Sequence, residues 1–139
     1  QVFGEVHGVD VSGEMLERAR LALRDTPNAQ VHHGDGMTLN VLGVRQFDFA
    51  YSCCVFHHIW SYEIISNYVR EVGLRLIPGA LFKFEVQGCT ALETTAGDTW
   101  LGVPFSEDRA RAMAEECGFE MRYGVGAGEE RYWLWFFRK

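Results

Sequence analysis

The chain has 139 residues, 47% hydrophobic and 23% charged, with 15 glycines against 3 prolines, a composition of one globular domain that excludes collagen-like repeats and extended disorder. Its formal net charge of −6 excludes the global positive field that neutralises nucleic-acid phosphates. No apolar run approaches the roughly 20 residues that span a bilayer, and residues 1–8 lack the basic start and apolar core of a signal peptide. The expectation is a cytoplasmic protein with a small-molecule partner, no nucleic acid and no membrane.

In chain order, residues 6–11 form an apolar run that predicts a strand, and Ser12-Gly13-Glu14 predicts the start of a helix with an acid in its first turn. Met15, Ala19, Ala22 and Leu23 recur on one face of that helix, and residues 25–28 stop it. A second short strand is expected at 29–33, closed by Gly34-Asp35-Gly36. Residues 47–55 (FDFAYSCCV) are apolar without helical period, as expected of a strand buried on both faces. Helical spacing of Ile65, Tyr68, Val69, Val72 and Leu76 predicts a helix over 61–76, ended by Pro78-Gly79, and alternation at Phe82, Phe84 and Val86 predicts a strand over 80–86.

A long loop carrying Trp100 follows at 88–105 and has the length of a substrate lid. Ser106 then caps a helix whose apolar face is Ala110, Met113, Ala114 and Cys117, with Gly118 as its stop. Residues 119–123 and 132–137 flank the turn region Gly124 to Gly128 as a closing antiparallel hairpin. Strands recurring with helices between them predict a doubly wound α/β fold: a mostly parallel sheet with helices on both faces and a C-terminal antiparallel hairpin. The expected domain organisation is a single domain over residues 1–139.

Ligands in such sheets gather at the carboxyl ends of the strands. Asp10 ends the first strand, where its carboxylate can accept both hydroxyls of a ribose or cap the next helix. Asp35 can accept from an exocyclic amine or simply close a turn, and Val11 and Met37 can hold a flat base between them. Of the adjacent His57 and His58, one suits a general base and the other a packed core residue. The four cysteines contain no CxxC, neighbouring side chains point apart, and Cys53 and Cys54 read as reduced, buried hydrophobes; no metal centre is expected.

The strings GVDVSGEMLERAR, HHGDGMTL, FDFAYSCCVFHHI, IPGALFKFEV and ECGFE, in this order along nearly the whole chain, resemble the class I S-adenosylmethionine-dependent methyltransferases, most closely their small-molecule branch. The resemblance implies a Rossmann-like methyltransferase domain, S-adenosylmethionine as cofactor, and pocket walls at Asp10, Val11, Met15, Asp35, Gly36, Met37, Ser52 and Cys53. Within it Asp10 holds the ribose diol, Asp35 lies by the adenine amine, and Ser52 and Cys53 line the methionine end. That family's first strand and glycine-rich loop would precede Gln1; Gly124 to Gly128 resembles the loop as text but falls in the hairpin.

An N-terminally incomplete sheet leaves the strands at 6–11 and 47–55 with open edges, so weak cofactor binding and homo-oligomer formation through those edges are expected of the 139-residue form. The implied function is methyl transfer to a small-molecule acceptor, carried by a longer parent protein, with His57 or His58 as the base where the acceptor must lose a proton. Two alternatives stand beside it. A nicotinamide-dependent oxidoreductase would share Asp10 and the sheet topology, and a catalytically silent fragment would serve as an interaction or oligomerisation module.

Overall fold

A computed structural model describes residues 2–91 and 102–139. The chain divides into two compact units, Gln1–Arg45 and Gln46–Lys139.

In the first unit, β1 (Val6–Asp10) and β2 (Ala29–His33) are parallel neighbours, with Val6 opposite Ala29 and Asp10 opposite His33. The crossover that parallel pairing requires is α1 (Gly13–Ala22). Ser12 starts it: the residue is extended and its hydroxyl accepts the Met15 N–H at 3.3 Å, satisfying one of the donors a helix leaves open. The buried stripe of α1 centres on Leu16, 3% exposed, with Ala19 and Leu23 half-buried beside it. Met15 is 51% exposed. Of the expected face Ala19 and Leu23 hold, while Met15 and Ala22 are exposed and Leu16 takes the buried place, because a stripe 16, 19, 23 has the same helical period and carries the leucine.

The second unit holds a four-stranded sheet in the order β3-β4-β6-β5. β3 (Phe47–Ser52) and β4 (Leu76–Val86) are parallel, and β6 (Tyr132–Arg138) runs antiparallel to both β4 and β5 (Phe119–Val125). α2 (Tyr62–Arg75) and α3 (Glu107–Glu116) are capped by Ser61, which accepts from Ile64 N–H at 3.3 Å, and Ser106, which accepts from Arg109 N–H at 3.2 Å. Ile65 and Val69 of α2 and Met113 of α3 share one core with Phe82, Phe84, Leu134 and Phe136, so both helices cover the same face of this sheet.

The opposite face is aromatic. Tyr51 is 55% exposed and stacks on Trp133 at 6.1 Å, and the Lys83 ammonium stands 4.9 Å from the rings of Trp133 and Trp135. This corrects the expectation for β3: with one face covered in its own unit, and with β3 at the end of the sheet, Phe49 and Tyr51 are exposed. α2 also runs directly into β4 at Leu76 instead of stopping at Pro78-Gly79. Those two residues form a bulge between the pairs Phe47 with Leu76 and Phe49 with Leu81, where Gly79 takes φ +83°. A proline has no N–H for the ladder, so a bulge is where a strand tolerates one.

Among the described residues β1 pairs only with β2 and β3 only with β4. Most of the segment expected as a lid, residues 92–101 with Trp100, lies outside the described residues. Its flanks are tied down: Phe105 N–H donates to the Gln87 carbonyl at 2.7 Å and Val103 N–H to that of Ile59 at 3.2 Å.

Candidate functional site

The first unit brings six of the expected residues to the carboxyl ends of β1 and β2. The two exits are stitched together, Gly34 N–H donating to the Asp10 carbonyl at 2.9 Å and His33 Nε2 lying 3.0 Å from the Val11 carbonyl. Asp10 is exposed, and its Oδ1 accepts the Ser12 N–H at 2.8 Å. It thus orders the entry to α1 with one oxygen while the residue stays exposed. Val11 and Met37, each 58% exposed, and Met15 supply apolar surface around it. A side chain at Gly36, which has φ +80°, would stand 3.5 Å from Val11, so glycine keeps this surface open.

Asp35 organises its own loop. Oδ1 accepts the N–H groups of Met37 at 2.8 Å and Thr38 at 2.6 Å, and Oδ2 accepts the Thr38 hydroxyl at 2.6 Å. These bonds, the Thr38 hydroxyl foremost, hold its pKa down to about 2 from 3.8. A carboxylate depressed in the folded state stabilises it above the ordinary carboxylate range, and that contribution is lost as pH falls from about 4 towards 2. Thr38→Val, which deletes the hydroxyl bond alone, is expected to raise the Asp35 pKa, read by carboxyl-carbon NMR titration; an unchanged value would contradict this account of the loop.

In the second unit the exit of β3 carries Ser52, Cys53 and Cys54, followed by a 3-10 turn at Phe56–His58. Phe56 anchors the turn in the core against Phe82 and Phe84. That leaves His57 buried at 6% exposure and His58 half-exposed, their ring centroids 3.9 Å apart. Burial first and the neighbouring His58 second push His57 below the usual histidine range, which makes it the packed member of the pair. The cysteines depart from the expectation of burial: Cys117 is buried, Cys53 and Cys89 are half-exposed and Cys54 is exposed. Cys53 and Cys54 follow the last residue of β3 and so leave the sheet, whereas Cys117 closes α3 against the core.

The strand-end reading missed Glu85 and Arg131. Glu85 is 1% exposed, and its Oε1 accepts the Cys54 N–H at 2.6 Å and lies 3.1 Å from His57 Nδ1. Arg131 reaches in from the hairpin turn, its Nη1 3.7 Å from Glu85 Oε2. A sequence signal for Glu85 does exist: it is the only acid in the apolar run LFKFEV and stands at the carboxyl end of its strand.

The parallel pairs, crossover helices and closing hairpin define the α/β fold of Rossmann-like, S-adenosylmethionine-dependent methyltransferases. Residues 1–79 match the methyltransferase domain family, and the chain belongs to that family. An S-adenosylmethionine-dependent methyltransferase from Mesorhizobium loti is similar over 97% of this chain and 81% of its own, with TM-score 0.76 and 18% identity. The magnesium protoporphyrin IX methyltransferase of Synechocystis PCC 6803, solved with bound S-adenosylmethionine, is similar over 97% and 60%, with TM-score 0.70 and 13% identity. For a possible exported protein of Bordetella parapertussis the figures are 96% and 53%, TM-score 0.75 and 15% identity, so the chain spans about half the length of that protein. No curated protein sequence matches the chain. Among the described residues no helix is long and apolar enough to cross a membrane.

Proposed function

We propose that the chain binds S-adenosylmethionine and serves methyl transfer to a small-molecule acceptor, both units being parts of one methyltransferase-like domain. The observation that carries the reading is the exit of β1 and β2, where Asp10 is exposed and Val11, Met15 and Met37 are exposed apolar side chains of the same strand-end segments. A ribose diol offers two donors and needs an acceptor, and an adenine ring needs apolar surface, so the residues present fit the adenosine half of the cofactor. Asp35 is a local organiser first, and Oδ2 keeps a lone pair for an exocyclic amine. Ser52 and Cys53 are proposed at the methionine end. Because the chain spans only 53% and 60% of the length of two of these similar proteins, turnover is proposed for a longer parent protein.

When bound, the sulfonium supplies the methyl group. The chain's part is to hold and orient, and to take a proton where the acceptor must lose one. His58 is the proposed base, because His57 is buried against Glu85. The net charge of −6 favours a small molecule over nucleic acid as acceptor. Self-association through the edges of β1 and β3, each of which has one strand neighbour among the described residues, belongs to the same reading.

Asp10→Asn keeps an acceptor for the Ser12 N–H and removes the charge. It is expected to weaken binding of S-adenosylhomocysteine roughly tenfold to a hundredfold in calorimetric titration, the scale of a hydrogen bond to a charged group. Equal affinities of the two proteins would remove Asp10 from the site.

A further inference from the structure

In extended backbone, two adjacent cysteines project to opposite sides, which is why the sequence alone argues against chelation. Cys54 is not extended. It takes φ +58°, the one described non-glycine residue at positive φ, and its Sγ lies 3.6 Å from that of Cys53. Two thiolates each about 2.3 Å from a tetrahedral zinc ion stand about 3.8 Å apart. The pair is thus already spaced as two ligands of one ion.

Glu85 completes the cluster from β4. Its Oε1 is 3.9 Å from Cys53 Sγ, and ligand atoms of the three residues all lie within 4.8 Å of one another. The independent observation is what remains unsatisfied there. Glu85 Oε2 is buried and has no hydrogen bond among the described residues, only the 3.7 Å approach of the Arg131 guanidinium. Buried polar atoms in native proteins nearly always have a partner. A cation at the cluster would give Glu85 one. The Cys54 N–H on Oε1 then acts as an outer bond that fixes the carboxylate's orientation.

We propose that Cys53, Cys54 and Glu85 hold a zinc ion as three protein ligands, with the fourth position open to solvent. Two sulfurs and a carboxylate oxygen are the donor set of a borderline-soft divalent cation, whereas magnesium and calcium take oxygen shells. On binding, two S–H bonds break, two S–Zn bonds form and two protons pass to solvent. Arg131, its Nη1 3.7 Å from Cys54 Sγ and its side chain 55% exposed, places a positive charge at the solvent side of the cluster. The site goes beyond the methyltransferase reading and stands without it, although Cys53 belongs to both.

The test titrates the reduced 139-residue chain with cobalt(II) and then zinc, with no S-adenosylmethionine present, so that failure here says nothing of the cofactor. One cobalt per chain is expected, with intense thiolate-to-metal absorption and the visible bands of a tetrahedral ion, displaced by one equivalent of zinc. Cys53→Ser and Cys54→Ser should each abolish the thiolate band and weaken zinc roughly a hundredfold or more, while Cys89→Ser leaves both unchanged. Glu85→Gln should weaken zinc at least about tenfold; since it alters a buried group, the two serine variants decide the matter should it fail to fold. Absence of the thiolate band, its survival in Cys54→Ser, or its loss in Cys89→Ser overturns the proposal.

Discussion

Phe84→Ala is expected to destabilise the protein by about 4 kcal/mol, the middle of the range for emptying a fully buried aromatic site. Phe84 is 0% exposed on β4, with Phe82 stacked at 4.4 Å, Phe56 edge-on at 5.4 Å and Phe136 edge-on at 4.9 Å. The three neighbours come from β4, the turn after β3 and β6, so none can close the hole without moving its own element. The aromatic pairs add to the transfer cost, each about 0.5 to 1.5 kcal/mol beyond the area it buries. Chemical denaturation measures it: a large fall in the midpoint at unchanged slope is expected. Tyr51→Ala, on the exposed side of β3, should cost about 1 kcal/mol or less. Equal losses in the two variants would contradict the placement of the core.

Gly126→Ala is the second large effect, at more than about 3 kcal/mol. Gly126 has φ +91°, a conformation an L side chain rarely adopts, and an added Cβ would stand 2.2 Å from the Arg131 carbonyl oxygen. That oxygen is backbone, so the hairpin turn itself must shift. Gly128 supplies the control, since its φ is +86° but an added Cβ meets nothing within 4 Å. Gly128→Ala should therefore cost only the conformational strain, about 1 kcal/mol. The same denaturation series separates the two, and similar losses would show that strain alone governs this turn.

The local chemistry of the fold was legible in the sequence. Ser12 and Ser106, read as helix starts, each accept from a backbone N–H three residues on, and Ser61, at the first residue of the helix expected over 61–76, does the same. β2 runs Ala29–His33 as its flanking turn residues indicate, and the closing hairpin pairs Phe119–Val125 with Tyr132–Arg138. The failures are non-local. Burial of His57 rather than His58 depends on how Phe56 enters the core, and the exposure of β3 depends on which sheet face the helices cover. Glu85 meets Cys54 across 31 residues of chain, a contact set by the parallel register of β3 and β4. The left-handed turn of Cys54 has no composition signal, since glycine and asparagine are the residues that usually announce it.

The central claim is that the exit of β1 and β2 holds the adenosine part of S-adenosylmethionine. A proton–nitrogen NMR titration of the 139-residue chain with S-adenosylhomocysteine tests it most directly, because shift changes map weak binding to residues. The account predicts saturable changes clustered at residues 10–15 and 34–38, reduced in Asp10→Asn. No change at millimolar ligand, or changes concentrated in residues 124–128 of the terminal hairpin, would contradict it.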